Sequence, residues 1–268
     1  MSAAWRRAAR RKRRSAMLEV QGLSKSFGGI HAVRDIDFRV DAGQVVSLIG
    51  PNGAGKTTCF NLVTGFYAPS AGRVRFMGRD VTGSRPHEMA RMGVVRTFQK
   101  TNVLKTLTVR ENLKAAQYLH ARAPLWRTFL PGPAQRGAER DIAERAERIA
   151  VLMGLQARCD TPAHALSCGE LRLLEVGVAL GARPRLLMLD EPAAGLNSHE
   201  AIVLARLLKT LPGTWVEAIL LVEHNMNLVM QVSDHVVVMN FGQKLAAGTP
   251  RDIQNDPAVL EAYIGKAA

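Results

Sequence analysis

The nine residues GPNGAGKTT, Gly50 to Thr58, decide how the rest of this chain is read. VVSLI, Val45 to Ile49, precedes them as a continuous apolar run, the pattern of a strand buried on both faces. CFNLVTGF follows with helical character. The stretch fits G-x-x-x-x-G-K-[ST], and a place between strand and helix is the context that motif requires. Glycine lets the backbone curl so that successive N–H groups face inward around an anion. The helix that follows adds the positive end of its dipole. Gly50, Pro51, Asn52, Gly53, Ala54 and Gly55 are therefore expected to form a phosphate loop. Lys56 would bring a mobile positive charge to the β- and γ-phosphates, and Thr57 a hydroxyl for Mg2+.

A phosphate loop needs an acidic group on the other side of the metal. RLLMLDE, Arg185 to Glu191, provides one: an apolar strand delivers Asp190 to its carboxyl end, where ligands sit in open α/β sheets. Asp190 is the expected Mg2+ partner, directly or through water. Glu191 is the candidate that orients or activates the attacking water. Taken alone, this stretch reads sooner as a strand ending in an acidic turn; the phosphate loop is what turns the reading toward a metal site.

Outward from these two sites the chain divides by pattern. From Met17 to Val46 it is strand-like: Ile36, Phe38 and Val40 alternate with Asp35, Asp37, Arg39 and Asp41, a half-buried antiparallel strand, and Asp41-Ala-Gly43 is a turn. Residues 100–165 differ. TLTVRENLKAAQYLH is helical, PLWRTFLPGP breaks the pattern with three prolines, and DIAERAERIAVLMGL is helical again. Ile142, Ala146, Ile149 and Met153 share one face there, and Asp141–Arg145 and Glu144–Arg148 are spaced for i,i+4 ion pairs. From Leu186 to Gly248 strands and helices alternate, implying parallel pairing with right-handed crossovers. No internal repeat is visible. The expected class is α/β: a P-loop core with a parallel sheet, an N-terminal antiparallel β subdomain, and an inserted α-helical subdomain over about 100–180.

Between the two sites lies ALSCGELRLLEVGVAL, Ala165 to Leu180. Together with GPNGAGKTT and LLMLDEP it resembles the nucleotide-binding subunit of an ABC transporter. A glutamine, Gln99, ends VVRTFQ, and a histidine, His224, ends AILLVEH, in the matching order. The resemblance runs from about Leu18 to Gly265, with the ATPase domain placed at 17–268. It implies binding of ATP and Mg2+, with ATP hydrolysis. Phe27 in SKSFGG matches the aromatic that stacks on adenine; Gly53, Gly55, Lys56, Thr57 and Thr58 cradle the phosphates. Gln99 would reach Mg2+ and the attacking water, Glu191 would be the general base, and His224 would contact the γ-phosphate. Ser167, Gly169 and Glu170 would close over ATP held by a second cassette. By residue type alone, Phe27 fits core packing, His224 a strand-end histidine, and Ser167-x-x-Glu170 a helix capping box.

Two residues depart from the family pattern. The signature usually reads L-S-G-G-Q; here it is Leu166, Ser167, Cys168, Gly169, Glu170. A carboxylate near a partner's triphosphate repels it unless a helix end or a basic neighbour offsets the charge, so weakened engagement of nucleotide is expected. Asn197 stands in PAAGLNS where many cassettes carry Asp.

SFGGIHAVRDIDFRVDAGQ, RPHEMARMGVVRTFQ, LDEPAAGLN and AVLEAYIG resemble the ATPase subunits of bacterial branched-chain amino acid importers. Related cassettes serve urea and short amides. That resemblance implies a second, different cassette, two transmembrane permease subunits, a periplasmic binding protein, and a place on the cytoplasmic face of the inner membrane.

Bulk composition fits. Hydrophobic residues make up 47% of 268, enough for a sizeable core. The longest apolar runs fall well short of the roughly 20 residues of a membrane span. The three cysteines, Cys59, Cys159 and Cys168, have neither disulfide nor metal spacing. Residues 1–16 carry seven Arg or Lys and no acid, and removing those from a net charge of +13 leaves +6. That tail reads as disordered and solvated, or as a basic arm for anionic lipid or nucleic acid. The rival to transport is a cassette ATPase acting on ribosomes or DNA. Such proteins carry two cassettes or a long coiled coil; here there is one phosphate loop and no sustained heptad, and no specific nucleic acid is expected. A cassette that binds ATP without hydrolysing it is the third reading.

Overall fold

The computed structural model of the chain describes residues 16–97, 103–118 and 133–264. The basic tail up to Ser15, Gln99, and the proline-broken stretch as far as Gly132 lie outside the described residues.

Two sheets organise the chain. Ala16–Phe27 (β1) and Ile30–Asp41 (β2) form an antiparallel hairpin around Gly28 and Gly29. Ile36, Phe38 and Val40 point into the core, as their alternation predicts. Asp35 takes a left-handed backbone (φ 52°) near the irregular register that offsets Leu23 from Lys25. Ala71–Phe76 (β4) pairs with the other edge of β1 and carries the short Arg79–Asp80 (β5), completing the order β2-β1-β4-β5.

The second sheet runs β10-β9-β3-β8-β7-β6. Val45–Ile49 (β3), Val94–Arg96 (β6), Leu186–Asp190 (β7), Ala218–Val222 (β8) and His235–Asn240 (β9) are parallel, and Gln243–Gly248 (β10) closes one edge antiparallel to β9. The period of two explains why the central strands are apolar throughout. Leu186 and Met188 of β7 and Leu220 and Val222 of β8 face the core shared with the antiparallel sheet. Leu187, Leu189, Ile219 and Leu221 face a second core shared with the helices. Each fully buried aliphatic side chain contributes about 1.5–3 kcal/mol.

Lys56–Val63 (α1) follows β3, and Pro86–Arg91 (α2) precedes β6. Between β6 and β7 lie Val109–Ala115 (α3), Pro133–Leu152 (α4) and Cys168–Gly181 (α5), packed around Leu113, Ile149, Met153, Leu174 and Leu180. Ile142, Ala146, Ile149 and Met153 are all buried. The Asp141–Arg145 pair does not form. Arg145 borders that buried face, stacks 5.2 Å from the Trp215 ring and donates to the Leu180 carbonyl at 3.2 Å. Ser198–Thr210 (α6), Met226–Val232 (α7), Pro250–Gln254 (α8) and Pro257–Ile264 (α9) complete the chain. Among the described residues no helix is long and apolar enough to cross a membrane.

Candidate functional site

The loop Gly50–Gly55 leaves the carboxyl end of the central strand β3 and turns into α1. A Cβ on Gly50 would collide with the Met239 carbonyl of β9, and one on Gly55 with the Ala32 carbonyl of β2. Both have positive φ (152° and 94°), so glycine is required by conformation and by space. Gly55 is also the N-cap of α1, and it supplies no side-chain acceptor. The first N–H groups of that helix are left for an anion. Asn52 and Gly53 are exposed, Ala54 is buried, Thr57 is exposed at the first turn of α1, and Thr58 follows it half-buried. Lys56 is 7% exposed and folds over its own loop, donating to the carbonyls of Gly50 (2.8 Å) and Pro51 (2.9 Å). Burial pulls its pKa down, and the nearby charges of Glu191 and Asp190 oppose that pull.

Asp190 ends β7, two strands from β3 with β8 between. Its carboxylate is fully buried. Oδ2 is paired with Arg96 Nη2 at 2.8 Å, while Oδ1 has no hydrogen-bond partner among the described residues. Burial pushes the carboxyl pKa up, and the hydrogen bond and charge of Arg96 restrain it. A buried carboxylate oxygen left without a donor suits a hard oxygen-seeking cation, and the exposed Thr57 hydroxyl adds a ligand of the same kind. Asp190 and Thr57 therefore fit Mg2+. Sequence reading passed over Arg96, although it lies in VVRTFQ. It also bonds the Asn61 side chain and stacks on Phe60 (4.8 Å) and Phe66 (5.4 Å).

Adjacent parallel strands bring the two remaining candidates together. Asp190 pairs with Val222 in register, so Glu191 and His224 emerge side by side. The His224 Nδ1 lies 3.7 Å from Glu191 Oε1. Glu191 has a left-handed backbone (φ 50°), and its N–H donates to the Val222 carbonyl at 2.8 Å. Between the two loops sits Glu223, wholly buried, which sequence reading also missed.

The signature residues form the start of α5. Ser167 is its N-cap: the hydroxyl accepts from Glu170 N (3.2 Å), and Glu170 returns a carboxylate oxygen to Ser167 N (2.9 Å). The other oxygen takes Arg158 Nε at 3.0 Å. The Ser167 N–H, and then Arg158, hold the Glu170 carboxyl below the usual carboxylate range. Both offsets required to neutralise this departure, a helix end and a basic neighbour, are thus present. Gly169 packs beneath Glu200 of α6. Asn197 caps α6, accepting from Glu200 N at 3.0 Å, a role in which asparagine equals aspartate.

Phe27, at the end of β1, is 42% exposed. It meets the Tyr67 ring edge-on at 5.3 Å and lies under Lys25 Nζ at 5.2 Å. This is a surface aromatic pair rather than core packing. Phe27, the phosphate loop, Asp190, Glu191 and His224 belong to the β1 end and the strand ends around β3. The signature lies at the start of α5, whose Arg172 Nε donates to the Ala194 carbonyl at 3.4 Å in the turn after Glu191, and Gln99 lies outside the described residues.

The ABC transporter family model matches residues 33–194, and a model described as branched-chain amino acid ATP-binding cassette transporter matches residues 243–268. The chain is 45% identical to the high-affinity branched-chain amino acid transport ATP-binding protein BraF of Pseudomonas aeruginosa, covering 94% of this chain and 98% of the relative. It is 42% identical to LivG of Escherichia coli strain K12, a protein of the same description, over the same shares. Among solved structures, the ADP conformation of MJ1267, an ATP-binding cassette of an ABC transporter, superposes with a TM-score of 0.81 at 33% identity, covering 94% of this chain and 99% of the other. The chain belongs to the ABC transporter family, as one of its ATP-binding cassettes.

Proposed function

We propose that this chain is the ATP-binding and hydrolysing subunit of a bacterial importer of branched-chain amino acids. The observation that carries the hydrolytic part is the convergence of Asp190, Glu191 and His224 on the ends of β7 and β8, beside the phosphate loop that leaves β3. The substrate class rests on the likeness to BraF and LivG, since the substrate itself never touches an ATP-binding cassette.

In this reading Phe27 stacks on adenine, and Gly50–Gly55 with Thr58 hold the phosphates through backbone N–H groups and a hydroxyl. Lys56 releases its loop carbonyls to meet the β- and γ-phosphates. Thr57, Asp190 and Gln99 hold Mg2+, which when bound draws negative charge off the phosphate oxygens. Glu191 orients and deprotonates the attacking water, and His224 bonds the γ-phosphate. Ser167, Gly169 and Glu170 close over the ATP of a second cassette. The difference in free energy between closed and open pairs is what moves the membrane subunits.

The helices and the parallel sheet enclose a groove of about 420 Å3 lined by Val95, Thr97, Leu104, Ala116, Val178 and Ala182. We assign it to a short cytoplasmic segment of a permease subunit, whose docking there would hold the chain against the inner face of the membrane. Affinity purification from detergent-solubilised membranes tests the assembly. A second, different cassette with two polytopic proteins is expected. Recovery of ribosomal proteins or nucleic acid instead would overturn the transport reading.

A further inference from the structure

Glu223 is a buried carboxylate whose hydrogen bonds go to main chain alone. One oxygen accepts from Ala193 N at 2.8 Å, in the turn that carries Glu191. The other accepts from His224 N at 2.9 Å and Asn225 N at 3.0 Å, in the loop after β8. The His224 Nδ1 lies 3.9 Å from this second oxygen. Such a charge is costly to bury unless its oxygens are well supplied with donors. Here three N–H groups supply them, and they come from two different loops.

We infer that Glu223 is the positioning residue that fixes Glu191 and His224 relative to each other. The turn bearing Glu191 stores strain: the φ of 50° is unfavourable for a glutamate and persists only where its surroundings over-determine it. The Glu191 N–H bond to Val222 is one anchor, and the Ala193–Glu223 bond is the second. On the other side, Glu223 fixes the backbone of His224 and of Asn225. Asn225 is itself the N-cap of α7, accepting from Leu228 N at 3.2 Å. One carboxylate thus ties the base and the histidine to the same point. Only a carboxylate can do so. Glutamine has one acceptor oxygen, and its amide group would face either Ala193 N–H or the His224 and Asn225 pair, donor against donor.

The inference rests on the hydrolytic reading of Glu191 and His224. It is tested by ATPase assay of the detergent-purified assembly and by binding of a fluorescent ATP analogue to the full chain. A displacement of about 1 Å at a reacting group costs on the order of 10²-fold. E223Q is therefore expected to lower kcat roughly 10- to 100-fold, with KM and analogue Kd within about threefold, because the phosphate loop hangs from β3. E223D keeps the charge but is one methylene short, and falls between E223Q and wild type. Q117L, which removes a buried amide bonded to the Leu113 and Ile142 carbonyls among the helices between β6 and β7, serves as the stability control. It is expected to lower the melting temperature with kcat retained. E223Q at wild-type kcat, or E223Q and Q117L lowering kcat alike, overturns the inference. If E223Q fails to fold, E223D at wild-type kcat does the same. An inactive wild-type assembly would instead overturn the hydrolytic reading, and this inference with it.

Discussion

Replacing Arg96 with methionine keeps most of its volume and removes its charge. Its side chain is 10% exposed and that of Asp190 not at all, so their attraction is poorly screened. Unit charges 2.8 Å apart attract by about 6 kcal/mol at an effective dielectric near 20. Removing Arg96 also spares its own desolvation, so the net cost is the about 3–5 kcal/mol typical of a broken buried pair. A chain of this size loses roughly 2 °C per kcal/mol, so the nucleotide-free protein should melt about 6–10 °C lower. With Mg2+ and ATP present, Asp190 has a cation of another source, and the deficit between R96M and wild type should shrink by half or more. The assay is thermal denaturation of the purified full chain, with and without Mg2+ and ATP. A deficit of the same size in both conditions would refute the idea that Arg96 is a stand-in counter-ion for Asp190. No deficit at all would refute the burial argument beneath it.

Phe27→Ala should raise KM for ATP roughly tenfold, the about 1–2 kcal/mol of one base–aromatic stack, without changing kcat; Tyr67→Ala should do the same more weakly, and a kcat effect from either would contradict this role. Glu170→Gln should leave ATPase of the assembly within about twofold, because the carboxylate is turned back to Ser167 and Arg158; a severalfold rise would mean it repels the partner's nucleotide after all. Acid should destabilise the fold through its helix caps. The hydroxyl and N–H of Thr249 hold Asp252, and the N–H and hydroxyl of Thr108 hold Glu111, below the usual carboxylate range. Their stabilisation is complete above the unfolded value of about 4 and is lost as pH falls through the lower folded values. E111Q with D252N should flatten the acid limb of melting temperature against pH, and an unchanged slope would contradict this.

The parts of the fold legible in the sequence are those where one pattern has one physical cause. VVSLI, LLMLD and AILLV are apolar throughout because both faces are covered, and a parallel sheet follows from their alternation with helices. Elements set by distant partners were not legible. β6 is three residues long and is a strand only because Val94, Val95 and Arg96 pair with Leu186, Leu187 and Met188. β10 has an exposed, weakly apolar pattern and exists because β9 offers an open edge. The site divides in the same way. The phosphate loop and Asp190 declare themselves by motif. Arg96 does not, since the carboxylate it neutralises is 94 residues away. Glu223 is eclipsed by the histidine after it, although one charged residue ending an apolar strand was a signal available from the start. Arg145 shows the reverse error: helical spacing offered Asp141, and the fold offered Trp215 and the Leu180 carbonyl.

The central claim is that hydrolysis at Glu191 drives import of branched-chain amino acids, and uptake tests it directly. Cells lacking this chain are supplied with wild type or with E191Q at equal abundance, and entry of radiolabelled leucine is followed at low external concentration. Wild type should restore uptake, and E191Q should leave it at the level of the deleted strain. Uptake that E191Q restores in full, or that the deletion never lowered, would contradict the account.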